Sequence, residues 1–304
     1  MSAAGEAHVP AHRAPVADGR TGGGPAGRPG AASRPGAGPS FGRVLSAEII
    51  KFFGLRSTWV LLLVTVVLMV GFAALSAWGI ASFTRDNTGG GPGGPGGPGG
   101  AGGTDFVHTV PSSGLSLAIL VLGSMGAMFV SGEFGNRSIT ATMTAVPARW
   151  PVFVAKAIVL TVVSWVTITV CELLGYVVTQ PLLRPANLDF AFDARLVPQI
   201  VFLSGLYAAA VAVMGLGLGA LIRNTAAAIV VLVAILLVFP ILVAIFRQDW
   251  VQWVAAFLPS TAHTQALDPT ASGKLDAAGS WAVIAAWPVA LLGAGIALVQ
   301  SRDV

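Results

Sequence analysis

The sequence predicts an all-α membrane protein with six transmembrane helices and both termini on the inner side. Three observations carry that prediction. Six apolar runs, Thr58–Ala81, Gly114–Ser131, Val152–Thr179, Val197–Ile222, Ala226–Phe246 and Trp281–Val299, are each long enough to cross a hydrocarbon core of about 30 Å at about 1.5 Å per residue. Six crossings return the chain to its starting side, and the basic residues divide unevenly between the two sides. Arg13, Arg20, Arg28, Arg34, Arg43, Lys51, Arg56, Arg137, Arg149, Lys156, Arg223 and Arg302 share the side of the termini, while only Arg85, Arg184, Arg195, Arg247 and Lys274 lie opposite. Under the positive-inside rule this reads as N-in, C-in. Finally, 55% of residues are hydrophobic and 10% charged, against about 25% charged in a soluble domain.

The first run needs no help to insert. It holds twelve Val, Leu, Ile and Phe residues, each favouring the bilayer centre by about 0.3 to 0.6 kcal/mol. No short apolar stretch with a small-residue cleavage site precedes it, so no removable signal peptide is expected. The net charge of +4 and pI near 9.8 do not point to nucleic acid. The basic residues sit in the tail and at span ends, where anionic inner-leaflet lipids attract them. Cys171 is the single cysteine, which excludes an intramolecular disulfide and a cysteine metal cluster.

Residues 1–39, rich in Gly, Ala, Pro and Arg without hydrophobic period, read as a disordered cytoplasmic tail. Residues 40–57 differ. Phe41, Val44, Leu45, Ile49, Phe52 and Phe53 recur at helical spacing, with Arg43, Ser46, Ala47 and Lys51 mostly opposite and Ser40 placed to cap. This predicts an amphipathic helix in the membrane interface. The permease domain then runs over 58–299, and 300–304 form a cytoplasmic end. Gly89–Gly103 is a flexible Gly/Pro linker on the outer face.

Gly132–Pro151 joins spans two and three. Ile139, Met143 and Val146 fall at i, i+4 and i+7, which predicts a short amphipathic cytoplasmic helix ended by Pro147. Such a helix can dock a cytosolic partner or serve as a plain connector. Between spans five and six, Trp250, Trp253, Val254, Phe257 and Leu258 share one helical face, with Asp249 as a ready N-cap and Pro259 as a stop. Tryptophan favours the membrane boundary, so this is read as an outer interfacial or re-entrant helix. Gly215 and Gly219 give the fourth span a G-x-x-x-G spacing, which lets backbones approach closely. Pro240 and Pro288 are expected to kink spans five and six.

The chemistry absent from the sequence narrows the function. There is no G-x-x-x-x-G-K-[ST] phosphate loop; Gly273-Lys274-Leu275 lacks the upstream glycine and the hydroxyl. G-x-S-x-G and H-E-x-x-H are also missing. His8 and His12 lie in the tail, and His108 and His263 in outer loops. The chain is therefore expected to have no enzyme activity, no metal and no cofactor of its own. Glu172 is the one clear ionisable residue deep in a span, sixteen residues beyond Lys156 and so about 24 Å along a regular helix. It could line a substrate route, make a subunit contact, or reach for headgroups or a neighbouring backbone.

The chain resembles the permease subunits of ABC-2 type transporters over about 41–300. The resemblance rests on Glu48, Lys51 and Leu55-Arg56-Ser57 before the first span, the short turn Arg223-Asn224-Thr225, and Glu133-Phe134, Ser138-Ile139, Pro147, Arg149 and Ala155-Lys156 between spans two and three. Arg137 stands where the family usually has Gly. The resemblance implies an exporter permease in the inner membrane, energised by a separate ATPase chain that carries ATP and Mg. It implies that the helix after span two is a coupling helix, with Glu133, Arg137, Ile139 and Met143 as ATPase contacts. It also implies that the helix before span one is a connecting helix, that the segment of Trp250, Trp253 and Phe257 is an outer gating element, and that a second permease chain faces this one. Two other readings compete: a membrane assembly or anchor protein, and an ion-coupled secondary transporter.

Overall fold

The computed structural model describes residues 40–86, 103–135, 150–192, 196–246, 248–267 and 274–301. Among these residues there are helices and turns but no strand. The predicted tail, the Gly/Pro linker over 89–102, the amphipathic stretch over 136–149 and residues 302–304 lie outside them.

Among the described residues, six helical stretches are long and apolar enough to cross a membrane. The first helix, α1 (Phe41–Gly54), precedes them and ends at Leu55, whose backbone is extended. Span one is α2 (Arg56–Asp86), and Trp59 Nε1 donates to the Phe53 carbonyl at 3.0 Å across the corner between α1 and α2. Ser40 occupies the N-cap position of α1 but makes no side-chain cap bond. Its carbonyl alone accepts from Arg43 and Val44.

Span two is α3 (Leu115–Gly135), entered through a 3-10 segment, Gly103–Ser112, that the apolar runs did not predict. The missed signal is the three-residue spacing of Val107 and Val110, which matches three residues per turn and puts both side chains in the core. Span three is the long α4 (Trp150–Leu183) and span four is α5 (Leu196–Ile222). A tight turn at Arg223-Asn224 leads into span five. Arg223 takes a left-handed φ of 57°, and the Asn224 side chain caps α6 by accepting from the Ala227 N–H at 3.1 Å.

Span five is not one regular helix. α6 (Thr225–Val233) passes through a π turn, Ala234–Val238, into α7 (Phe239–Ile245). Pro240 follows that turn directly. Its ring and missing N–H disrupt bonding to the preceding turn, and the widened turn takes up the mismatch. Span six, α10 (Ala277–Ser301), is one continuous helix with Pro288 inside it.

α5 is the axis of the bundle. In its most apolar stretch 78% of residues are buried, against 22% for α2 and 17% for α10. Its glycines make this possible by letting α3, α4 and α10 approach closely. A Cβ on Gly215 would overlap the Gly123 carbonyl oxygen of α3, and one on Gly217 would stand 2.7 Å from the Leu291 carbonyl carbon of α10. A Cβ on Gly205 would come within 2.7 Å of the Trp165 ring of α4. The G-x-x-x-G spacing thus serves packing within the bundle.

Between spans five and six lie α8 (Asp249–Ala256) and α9 (Pro259–Leu267). Gln248, not Asp249, holds the N-cap position of α8. Asp249 instead sits in the first turn, where its charge suits the helix dipole, and pairs with Lys274 at 3.6 Å. Pro259 opens α9 as well as ending α8, because proline's missing N–H costs nothing in a first helical turn.

Candidate functional site

Four charges meet where α1, α3 and α4 converge. On α1, Val44, Glu48 and Phe52 recur at i, i+4 and i+8 and are buried, while Ile49, Ile50 and Phe53 are exposed. The apolar stripe read from the sequence is therefore divided: a carboxylate, Glu48, occupies the middle of the packed face. Phe52 seats that face edge-on against Phe129 of α3, centroids 5.1 Å apart. Beside it Lys156 of α4 is 1% exposed. Its Nζ donates to Glu48 Oε2 at 2.6 Å and to Glu133 Oε1 at 2.9 Å, and lies 4.0 Å from the centroid of Phe129.

Lys51 completes the group. It donates to the same Glu133 Oε1 and stands 3.6 Å from Glu48. Burial lowers the Lys51 pKa, but the two carboxylates outweigh it and hold the ammonium above its usual range. Two lysines and two glutamates give a neutral cluster, so the buried charges are compensated.

The cluster brackets the predicted docking helix. Glu133 stands just before 136–149 and Lys156 just after, and their direct bond closes the base of that connection. The last turns of α3 make two further ties. Ser131 Oγ and Thr225 Oγ1 are 2.7 Å apart, linking α3 to α6. The Arg223 guanidinium rests 5.1 Å from the Phe134 ring centroid, with Nε and Nη2 buried and unpartnered. One helix end is thus fastened to α1, α4, α6 and the turn before α6.

The structure places the predicted site residues unequally. Glu133 is buried in the cluster. Arg137, Ile139 and Met143 lie outside the described residues. Glu48, Lys51 and Lys156 appear in the sequence reading but not as one site. Their pairing was not legible, because Glu48 and Lys156 are 108 residues apart.

Glu172 lies toward the other end of the bundle, 1% exposed. Ser112, at the end of the 3-10 segment, donates to its Oε2 at 2.9 Å. Oε1 is buried without a partner, as is Ser204 Oγ on α5. Nearby, His263 of α9 stacks on Tyr207 of α5, centroids 4.2 Å apart and planes at 10°. Burial lowers the His263 pKa to about 4. The sequence reading put His263 in an outer loop; it is instead 5% exposed on a helix, because the Tyr207 and Trp281 rings receive it.

On α8 and the two residues that follow it, Trp250, Trp253, Val254 and Phe257 are exposed, and Val251, Ala255 and Leu258 are buried. Leu258, expected with the tryptophans, falls on the packed side. Trp287 Nε1 fixes the end of α8 by donating to the Phe257 carbonyl at 2.9 Å. Elsewhere α4, α5 and α10 enclose an apolar cleft of about 700 Å³ that includes Thr161, Leu206, Trp281 and Pro288.

Six apolar spans, the fourth of them largely buried among the others, define a multi-pass membrane protein. The chain belongs to the ABC-2 family: the family model described as ABC-2 family transporter protein matches residues 102–298. That family is a membrane component of ABC transporters, a transport unit and not a catalytic domain, and it works with an ATPase partner. The match begins after α2, so the matched segment contains Glu133, Lys156 and Glu172 and omits Glu48 and Lys51. A search of curated proteins finds no match.

Proposed function

We propose that this chain is the permease subunit of an ATP-dependent exporter in the cell membrane, coupled to a separate ATPase through the segment 136–149. The observation that carries this reading is the four-charge cluster at the base of that segment. Glu133 and Lys156 bond each other directly at 2.9 Å, and Lys156 also holds Glu48 of α1 at 2.6 Å. A push on the segment therefore acts on α1, α3 and α4 together. A buried ionic network has discrete arrangements and not a continuum, which suits an element shifting between two packings. The ATPase biases those packings only by contacting them differently.

In this mechanism Ile139 and Met143 present the apolar contact to the ATPase, Arg137 adds a charge, and Glu133 anchors the segment to the bundle. The exposed Trp250, Trp253 and Phe257 face of α8 lies in the outer interface as a gating element, and a second permease chain completes the export path. ATP and Mg act on the ATPase chain.

Replacing Ile139 and Met143 together with Asp tests the reading. The expected result is at least a tenfold loss of the ATPase chain that mass spectrometry identifies with wild type in mild detergent, with membrane insertion and yield unchanged. Undiminished co-purification by the double variant would refute it.

A further inference from the structure

The surroundings of Glu172 lack what the Glu133 cluster has, a basic partner. No Lys or Arg pairs with Glu172 among the described residues. The packed elements offer none: α2 from Thr58 to Thr84, α3 from Leu115 to Gly132 and the whole of α5 contain no charged residue. The titratable side chains nearby in the fold are Cys171 and Tyr176 on α4, His108 on the 3-10 segment and Tyr207 on α5, and the Tyr176 hydroxyl donates to the Phe190 carbonyl at 3.1 Å. His108 packs its ring on Phe190, centroids 4.6 Å apart, and Tyr207 packs on His263. None of them forms an ion pair with the carboxyl. A lone carboxylate this deeply buried is costly, so its charge has to be compensated.

The polar side chains that reach the carboxyl are the hydroxyls of Ser112 and Ser204. Ser112 Oγ bonds Oε2 at 2.9 Å. The Ser204 hydroxyl approaches the same carboxyl without completing a hydrogen bond. Ser204 is fully buried, and neither its Oγ nor Glu172 Oε1 has a partner. Thr169 Oγ1, one turn earlier on α4, is buried and unpartnered too. The Pro111 carbonyl oxygen closes over Gly175 one turn further on; a Cβ there would stand 3.1 Å from it. Hard oxygen donors beside one buried negative charge suit a small hard cation. The half-buried Ser112 marks the side facing the bundle end.

We propose that Glu172, Ser112 and Ser204 form a binding site for one small monovalent cation, a sodium ion or a proton, bridging the 3-10 segment, α4 and α5. The bound cation neutralises the carboxylate and supplies the missing partner of Oε1. With sodium, Oε1 and the two hydroxyl oxygens act as ligands. With a proton, Oε1–H donates to Ser204 Oγ. Because the site joins three elements, loading it locks the 3-10 segment onto the bundle. This inference stands apart from the ATPase reading, since it needs no partner chain.

The test uses the purified full-length permease in detergent, without ATPase. Thermal midpoints of wild type, Glu172→Gln and Ser204→Ala are measured in one series from 1 to 300 mM NaCl, with N-methylglucamine chloride holding ionic strength. A second series runs from pH 7 to 9 at fixed sodium, above the range in which His263 titrates. Wild type is expected to gain about 4 °C across one series, growing with the logarithm of cation concentration. A response to sodium at fixed pH assigns sodium; a response to acid at fixed sodium assigns the proton. Glu172→Gln, a neutral isostere, loses that response. Ser204→Ala keeps the carboxylate and shifts the response about tenfold toward higher cation, which preserves the test if the first variant folds poorly. A wild type indifferent to both series, or a Glu172→Gln variant that responds like wild type, would overturn the proposal.

Discussion

Glu133 and Glu172 are the same residue in two versions of the same problem. Each sits on a helix of an apolar bundle and is at least nine-tenths buried, 8% and 1% exposed respectively. Glu133 shares one oxygen between two lysines. Glu172 receives a single serine hydroxyl. The first arrangement is complete and neutral, so it fastens α1, α3 and α4 to one another. Among the described residues the second is short of one positive charge, so it has room in its chemistry for a ligand. Burial of a charge is therefore no guide to role by itself; the partner decides whether the site is a clamp or a receptor.

The sharpest way to break this comparison is to remove the shared cation. Lys156→Ala leaves Glu48 and Glu133 buried with only the half-exposed Lys51 between them. The expected loss is about 3 to 5 kcal/mol, enough to abolish a monodisperse peak in size exclusion after mild heating. Adding Glu48→Gln and Glu133→Gln to Lys156→Met should recover most of it, because a neutral replacement of a buried ionic group is tolerated far better than half of one.

A slightly smaller effect comes from His263, a buried base stacked on Tyr207. Its folded pKa is about 4 against 6.5 for the free side chain. Between those values the unfolded chain binds a proton that the folded chain refuses, so stability falls as pH drops from about 6.5 to about 4. The shift corresponds to about 3 kcal/mol. His263→Phe keeps the stack on Tyr207 and should flatten the thermal midpoint across that range. An unchanged slope would show that His263 is not the group responsible.

The smallest effect is the most direct comparison. Glu133→Gln weakens two charge-assisted bonds and should cost about 1 to 3 kcal/mol. Glu172→Gln removes a charge that has no basic partner among the described residues and should leave stability equal to wild type or higher when little sodium is present. Midpoints measured side by side decide it. Equal losses in the two variants would erase the distinction between clamp and receptor.

Much of the fold was legible. The span predicted at Ala226–Phe246 is Thr225–Ile245, and the one predicted to begin at Gly114 has its helix begin at Leu115. Hydropathy over some twenty residues is a local property, and the bilayer length sets the rest. The π turn before Pro240 and the 3-10 entry to α3 were missed, since both are adjustments of helical geometry that leave hydropathy unchanged. Less of the site could be read. Glu133 and Glu172 were singled out, yet nothing in the chain says that one meets two lysines and the other only hydroxyls.

The sequence by itself determined that this is a six-span helical bundle of the ABC-2 kind, because length, apolarity and short motifs act within a few turns of chain. Tertiary structure alone decided which charges are compensated. Glu48 and Lys156 meet across 108 residues, and Ser112 finds Glu172 across 60. The physical reason is that an apolar medium hardly screens a charge. A carboxylate there is governed by whatever lies within a few ångströms, and only the packing of helices brings that neighbour into place.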